Sequence, residues 1–267
     1  MEMRPSRVLQ KLRSGQVVGC FKTNLSCARA AEIAGMAGFD CLWTDMEHTA
    51  NDWPVVEKQI LAAKVYNMDV MVRVTRGSYS DYIRPLELDA AGIMVPHVMS
   101  LEDARNVVRM TRFHPVGRRP IDGGNADGAY TNIDLVEYTG QANANRFLAI
   151  QIEDPEPLDD LEKIAKLPGI DIIFFGPGDF SHGIGVLGDW DNAKIIETRK
   201  RVADIALANG KIAGTVGNPG NLDDLIKMGY RFISMGADVV GLSQYCKSLA
   251  QEFRQRQENI IKPGECL

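Results

Sequence analysis

Eight short apolar runs alternate along this chain with eight longer segments of helical period. The runs are apolar at consecutive positions, which is typical of strands buried on both faces. Strands that alternate with helices indicate a parallel sheet. The predicted strands are 17–21, 40–44, 70–74, 92–96, 147–152, 170–175, 211–215 and 231–235. The predicted helices are 27–37, 53–66, 81–88, 101–112, 158–166, 192–208, 222–228 and 243–257.

The number of these units predicts the fold. Eight strands and eight helices within about 250 residues are the count for a closed (β/α)8 TIM barrel, an α/β fold. A doubly wound open sheet uses the same elements and is the alternative. No linker or shift of composition divides the 267 residues, so we expect one domain over 1–267, with 258–267 as a flexible tail. The longest irregular stretch is 114–131, and loops of that length tend to be functional or mobile.

Charge and cysteine content limit the partners that such a chain can have. Thirty Lys and Arg against 35 Asp and Glu give a net charge of -5, which argues against binding to nucleic acid or anionic membranes. Five scattered cysteines without a C-x-x-C pair fit a reducing cytoplasm. Residues 1–16 lack the apolar core of a signal peptide, and no apolar run approaches the ~18 residues of a membrane span. We therefore expect a cytoplasmic protein with neither nucleic-acid nor membrane partners.

Polar side chains gather where four of the predicted strands end. The second strand runs into 44–48 (TDMEH), and the third ends at Arg73. The fifth runs into 151–154 (QIED), and the sixth into 176–179 (GPGD). Barrel enzymes build their active sites at the carboxyl ends of the strands. We therefore expect all four clusters at one face of the barrel.

Two acids in these clusters suggest a metal site. Glu153 and Asp179 offer hard carboxylate oxygens and leave positions open for water and substrate, as Mg²⁺ or Mn²⁺ prefers. Gln151 lies two residues before Glu153 and so points to the same side of the strand. The alternative is that both acids only cap the helices that follow.

A histidine and an arginine complete the candidate site. His48 follows Asp45 and Glu47, and an imidazole beside a carboxylate suits general acid/base work near neutral pH. Arg73 could clamp a carboxylate or stabilise an oxyanion, or it could form a buried ion pair with Asp45 or Glu47. His97 follows the fourth strand and could approach the same face.

Several chemistries lack their motifs. No C-x₂-C or H-E-x-x-H motif supports zinc, no glycine-rich nucleotide loop is present, and no Ser stands in a G-x-S-x-G elbow. Lys22 is the one lysine at a strand end that could form a Schiff base. The turn at 176–178 could hold a small anion on its backbone amides.

Together these residues resemble the HpcH/HpaI aldolase family of metal-dependent, pyruvate-using class II aldolases. The resemblance runs from about residue 19 to residue 250. It implies a (β/α)8 barrel. The matching segments are 37–53 (AGFDCLWTDMEHTANDW), 70–74 (VMVRV), 92–98 (GIMVPHV), 148–161 (LAIQIEDPEPLDDL) and 168–181 (PGIDIIFFGPGDFS).

The resemblance implies roles at the metal. Glu153 and Asp179 would bind a divalent cation, Mg²⁺, Mn²⁺ or Co²⁺, with Gln151 beside them. The backbone amides of Gly178 and Asp179 would take the substrate carboxylate. Many family members carry Ala where this chain has Gly178.

The resemblance also implies roles in proton transfer. His48 would be the general base, and Asp45 would orient it or share its proton. Arg73 would bind the pyruvyl oxygen and stabilise the enolate. Proteins of this family are hexamers, dimers of trimers, with sites completed by a neighbour. Glu87 stands where the family has an Asp that reaches across that interface, and Glu47 is a further candidate for the surroundings of the site.

The expected reaction is reversible cleavage of a 4-hydroxy-2-keto or 2-keto-3-deoxy acid to pyruvate and an aldehyde. The alternatives are an oxaloacetate decarboxylase or macrophomate-synthase-like enzyme, and a CoA-ester lyase of the citrate-lyase β type. The 114–131 loop departs from the family pattern, and its Gly-Arg-Arg favours the first alternative. A phosphosugar enzyme would use the glycines after the last two strands. A barrel that only binds a ligand would be expected to lack the site residues.

Overall fold

Eight parallel strands close into a barrel in which each strand pairs with the next and β8 returns to β1. The computed structural model describes residues 1–260. Closure confirms the (β/α)8 barrel and excludes the doubly wound alternative. The strands are β1 Val18–Thr23, β2 Cys41–Asp45, β3 Asp69–Arg73, β4 Gly92–Val95, β5 Phe147–Ile152, β6 Ile172–Phe175, β7 Ile212–Gly217 and β8 Tyr230–Ala237.

Helices fill the connections and surround the barrel. Side-chain caps start several of them: Ser6, Asp52 and Ser100 each accept a bond from a first-turn backbone N–H. The helices are α1 Arg7–Arg13, α2 Ala28–Met36, α3 Trp53–Val65, α4 Tyr79–Glu87, α5 Leu101–Thr111, α6 Leu135–Asn145, α7 Leu161–Ala165, α8 Pro177–Gly183, α9 Ala193–Ala208, α10 Leu222–Met228 and α11 Asp238–Ile260.

Each predicted strand is present, and the fifth has the predicted bounds. Three helices were not predicted: α1, α6 and α8. Gly and Asn residues lower the helix propensity of α6. Helix α8 begins at a Gly-Pro pair, which is typical of a turn, although Pro is also well suited to a first helical turn. Within the irregular 114–131 stretch the structure has a single 3-10 turn, Ala126–Gly128.

An apolar plug fills the barrel interior. It is built from alternate, inward-facing residues of the strands, which leaves the other residues to pack against the helices. The rings of Trp43 and Phe174 meet edge to face with centroids 5.6 Å apart. Helix α1 contributes three buried side chains to the same cluster and so closes the amino-terminal end. Functional groups can therefore gather only above the plug, at the carboxyl ends of the strands.

Helix α11 differs from the other long helices because none of its side chains is buried. Its exposed apolar residues include Leu242, Tyr245, Leu249 and Phe253, between 49% and 69% exposed. Residues 258–260 of the predicted tail continue this helix, and 261–267 lie outside the described residues. Within residues 1–260 no helix is both long enough and apolar enough to cross a membrane.

Candidate active site

A polar layer covers the plug at the carboxyl end of the barrel. Strand residues alternate between the interior and the helix side, so a residue two positions after a plug residue also faces inward. The polar layer follows the plug residues Cys20, Trp43, Met71 and Ala149 at this spacing. Its members are Lys22, Asp45, Arg73 and Gln151.

Asp45 and Arg73 form a buried ion pair at the centre of the layer. They are register partners on β2 and β3, and Arg73 donates to both carboxylate oxygens, from Nε at 3.0 Å and from Nη2 at 2.5 Å. Burial opposes ionisation of Asp45, but Arg73 and Lys22 outweigh it and lower its pKa to about 2. The buried ion pair with Asp45, predicted as the alternative to a substrate-binding role of Arg73, is therefore present. It holds the guanidinium in place.

Glu47 links Arg73 to two histidines. Its Oε2 lies 3.1 Å from Arg73 Nη1 and 3.5 Å from His48 Nε2, and its Oε1 lies 3.7 Å from His97 Nε2. The side chain of His48 is 57% exposed. The role of Asp45 towards His48 stays a prediction, and in this structure the Asp45 oxygens accept from Arg73 and from the Glu47 N–H. The acid near the imidazole is Glu47.

Glu153 is a buried carboxylate whose one ion-pair contact in residues 1–260 is with an imidazole, His97, 3.7 Å from Nδ1 to Oε1. It is 1% exposed, and within residues 1–260 no Lys or Arg forms an ion pair with it. Its Oε1 accepts the backbone N–H of His97 at 2.9 Å, and the Gln151 amide donates to Oε2. Burial raises the pKa of Glu153 to about 7, although the bond from His97 acts in the opposite direction. A positive charge beside Glu153 would therefore stabilise its ionised form at neutral pH.

Asp179 lies next to this carboxylate, in the first turn of α8, and is exposed. The turn before it approaches β5 so closely that a Cβ on Gly176 would lie 2.8 Å from Gln151 Nε2 and 2.9 Å from Glu153 Oε2. Only glycine allows this approach. A Cβ on Gly178 would meet nothing within 4 Å, which fits the Ala found at this position in many family members.

The residues present fit a hard divalent cation. Glu153 and Asp179 supply two carboxylates, and the Oε1 atom of Gln151 is buried without a hydrogen-bond partner. In residues 1–260 no group of three or more His, Cys, Asp or Glu side chains is arranged to hold a metal ion. A cation here would take most of its ligands from water and substrate, as Mg²⁺ does.

His97 does approach the site, with an unexpected partner. Its Nδ1 lies 2.8 Å from Oδ2 of Asp154, the residue after Glu153. Its backbone has φ of 47°, which non-glycine residues rarely adopt. This conformation accompanies the backbone bond from His97 to Glu153, so His97 connects the ends of β4 and β5.

Lys22 lies near the end of β1, as the sequence predicts for a lysine at a strand end, but its partners in the polar layer were not predicted. Its Nζ lies 3.0 Å from Asp45 Oδ2 and 4.9 Å from the centroid of the Trp43 ring. Arg73 Cζ lies 4.9 Å from the same centroid. The signal was available, because Lys22 follows the inward-facing Cys20 by two residues.

Glu87 is not part of this layer. It is the last residue of α4, a helix that returns the chain to the amino-terminal end of the barrel. Burial raises its pKa, with Arg119 acting in the opposite direction and Asp127 in the same direction. Arg119 and Asp127 themselves form a buried pair, 2.9 Å from Nη2 to Oδ2. A role for Glu87 toward a neighbouring subunit stays a prediction.

Comparison with known proteins agrees with this arrangement. The family model described as HpcH/HpaI aldolase/citrate lyase matches residues 18–244. A hydroxypyruvate/pyruvate aldolase of Roseobacter denitrificans is 32% identical over 92% of this chain and 96% of its own length. A 5-keto-4-deoxy-D-glucarate aldolase of Escherichia coli O157:H7 is 29% identical over 94% of this chain and 98% of its own length.

A solved structure leads to the same group. The HpcH/HpaI aldolase/citrate lyase family protein of Burkholderia cenocepacia J2315 superposes with a TM-score of 0.86 at 30% identity. That alignment covers 93% of this chain and 99% of the other. The family match spans most of the chain and includes every residue of the polar layer, so this protein is an enzyme that belongs to the HpcH/HpaI aldolase/citrate lyase family.

Proposed function

We propose that this enzyme is a divalent-metal-dependent aldolase that reversibly cleaves a 4-hydroxy-2-keto or 2-keto-3-deoxy acid to pyruvate and an aldehyde. The observation that carries the proposal is a buried carboxylate, Glu153, that has no Lys or Arg partner in residues 1–260 and lies next to Asp179 in the same layer as Arg73. A hydroxypyruvate/pyruvate aldolase and a 5-keto-4-deoxy-D-glucarate aldolase among the relatives support the substrate class.

The site is suited to stabilising an enolate. A divalent cation bound by Glu153 and Asp179 would polarise the keto and carboxylate oxygens of pyruvate. Arg73 places a fixed positive charge where the oxyanion develops, a contribution often worth about 3 kcal/mol. Asp45 holds the guanidinium by two bonds, so that little reorganisation is needed when charge develops. In cleavage the same enolate is the leaving group.

His48 would transfer the proton. Its imidazole is accessible to substrate because it is more than half exposed, and Glu47 lies 3.5 Å from its Nε2. In the synthetic direction His48 would accept a proton from the methyl group of pyruvate. In cleavage it would accept the proton of the 4-hydroxyl group. The amides of Gly178 and Asp179 would hold the substrate carboxylate, as the family resemblance implies.

The enzyme would work as a homo-oligomer, a hexamer built as a dimer of trimers. The support is helix α11, whose 23 residues include no buried side chain. A groove beside its first turns is lined by Phe21, Leu25 and Ile33 of the barrel wall. Apolar helix faces and grooves of this kind are covered by another subunit more readily than by water.

The proposed location is the cytoplasm, with a small keto acid and neither nucleic acid nor membrane as partner. The four cysteines in the described part of the chain, Cys20, Cys27, Cys41 and Cys246, are all free thiols, as a reducing compartment allows.

The proposal is tested by measuring pyruvate release from a panel of 4-hydroxy-2-keto acids. Purified enzyme is stripped of metal and assayed with Mg²⁺, Mn²⁺ or Co²⁺, and with EDTA. We expect activity that EDTA abolishes and added metal restores, and full activity in EDTA would contradict the metal requirement. Oxaloacetate and a CoA ester belong in the same panel. Turnover of either one in preference to every hydroxy-keto acid would replace the aldolase assignment by the corresponding alternative.

A further inference from the structure

The loop that carries Glu47 and His48 connects the end of β2 to the start of α3. It spans residues 46–52 and contains neither helix nor strand. The ring of His48 has one polar contact in residues 1–260, with Glu47 at 3.5 Å, and more than half of the side chain is exposed. Packing of the side chain therefore does not fix the imidazole. Its position depends on how the backbone of the loop is held.

Two side chains hold this loop on a single atom, the carbonyl oxygen of Asp45. Asn51 donates to this oxygen from Nδ2 at 2.7 Å, and the hydroxyl group of Thr49 donates to it as well. The backbone N–H of Asn51 in turn donates to the Thr49 hydroxyl oxygen at 3.3 Å. These bonds fold residues 46–51 back onto the end of β2, and His48 lies within the turn that they close.

Asp45 thus connects the two groups on which the proposed chemistry depends. Its carboxylate accepts from Arg73 and from the backbone N–H of Glu47. Its carbonyl oxygen accepts from the other side of the loop, through Asn51. Because the guanidinium and the loop are held by the same residue, the bond from Asn51 helps to set the distance between His48 and the site where the enolate oxygen would develop.

Neither helix capping nor stability accounts for the asparagine. Helix α3 is capped by Asp52, whose side chain accepts the N–H of Val55. Asn51 is 8% exposed, the least exposed residue of the loop. Its amide oxygen is buried and accepts no hydrogen bond from any described residue, and such an atom lowers the stability of a fold. The bond from its Nδ2 to Asp45 is the contact that needs explaining.

We propose that Asn51, with Thr49 beside it, is a positioning residue that holds the 46–51 loop on the Asp45 carbonyl and so places His48 for proton transfer. The inference rests on the proposed function, in which His48 accepts the proton. Asn51 acts through the backbone of the loop and touches neither the substrate nor a metal. Its loss should therefore slow proton transfer without weakening the binding of pyruvate.

The test measures proton transfer and binding separately. Mg²⁺-loaded enzyme is incubated with pyruvate in D₂O, and proton NMR follows the methyl group as His48 removes a proton and the enolate takes up a deuteron. Isothermal titration calorimetry gives the dissociation constant of pyruvate. We expect Asn51→Ala to exchange about a hundredfold more slowly, because a small misplacement of a base has an effect of this size, with a dissociation constant within about twofold of the wild type.

A second variant and a control complete the test. Thr49→Val removes the other donor with little change of shape and should slow exchange about tenfold, so it carries the test even where Asn51→Ala fails to fold. Asn209→Ala is the matched control. The Asn209 amide also donates to a backbone carbonyl, that of Ile205 at 2.8 Å, but at the end of α9 that lies away from the active face. Its loss should leave exchange unchanged.

Two results would overturn the inference alone. One is methyl exchange at the wild-type rate in Thr49→Val and in folded Asn51→Ala. The other is a loss of pyruvate affinity as large as the loss of exchange, which would show a general disturbance of the site and not a misplaced base. A wild type that exchanges no methyl protons would overturn the proposed function, and the inference with it.

Discussion

The two ends of the barrel treat buried acids differently. At the amino-terminal end each acid that precedes or starts a strand has a cation: Asp40 has Arg7 and Lys11, Asp69 has Arg4, Asp89 has Lys64 and Arg146, and Asp171 has Arg112. At the carboxyl end Asp45 is paired, but Glu153 has no Lys or Arg partner among residues 1–260.

The difference separates stability from function. A paired buried acid holds strands and helices together, and removing its partner leaves a costly uncompensated charge. A buried acid without a cationic partner also lowers the stability of the fold, and such acids are found where a ligand supplies the opposite charge. The amino-terminal pairs therefore stabilise the barrel, and Glu153 at the carboxyl-terminal face is suited to bind a positively charged ligand. Four predictions test this contrast, in order of decreasing effect.

The largest effect is expected for Glu153→Ala. Loss of this carboxylate should lower kcat/KM for pyruvate release at least about a thousandfold, a loss of about 4 kcal/mol of transition-state stabilisation. The metal-free variant should unfold at the same temperature as the wild type or higher, because an uncompensated buried charge is removed. Steady-state kinetics and thermal unfolding measure the two effects. If Glu153→Ala keeps its activity, or is destabilised as strongly as a variant that lacks one of the paired acids at the amino-terminal end, the proposed difference between the two ends is wrong.

Asp89→Ala should have the opposite profile. It leaves the guanidinium of Arg146, which is 2% exposed, without its carboxylate partner, and it also removes the partner of Lys64. The free energy of unfolding should therefore fall by about 3 kcal/mol. Activity per folded molecule at low temperature should stay close to that of the wild type. Urea unfolding monitored by circular dichroism gives the stability. Loss of activity without loss of stability would show that the two ends are not separate.

Gly176→Ala sharpens the contrast within the active face. The new Cβ would lie 2.9 Å from Glu153 Oε2, and the displacement that it forces should lower kcat/KM about thirtyfold with little change in the overall fold. Gly140→Ala is the control, since its Cβ would meet nothing within 4 Å on helix α6. Equal activities of the two variants would mean that the close approach at Gly176 has no functional importance.

The smallest effect is a pH dependence at Asp45. Its pKa in the folded protein, about 2, lies below the ordinary value of 3.8 for an aspartate, so ionised Asp45 stabilises the fold above about pH 4, and this stability is lost as the pH falls towards 2. The contribution is about 2 kcal/mol. Unfolding free energies of the wild type and Asp45→Asn, compared between pH 3 and pH 6, measure it. The difference should shrink as the pH falls, and a constant difference would refute the assignment.

Much of the site was predictable from the sequence. Apolar runs identified the strands, and parallel packing put their carboxyl ends at one face, so the acids of 151–154 and 176–179 had to meet near Arg73. Three helices were missed because their sequences are short or contain turn-forming residues. The acid next to His48 could not be decided from the sequence, since proximity along the chain does not distinguish Asp45 from Glu47.

What the sequence by itself determined is the eight continuous apolar runs and the order of strands and helices, and hence the barrel and the residues at its mouth. Only the tertiary structure decided which charges meet, because that depends on register between strands far apart in sequence. Register set Asp45 opposite Arg73, and barrel closure brought Lys22 beside them. The tertiary structure also left Glu153 buried with no Lys or Arg partner among the described residues, and burial is a property of the packed molecule rather than of any local run of residues.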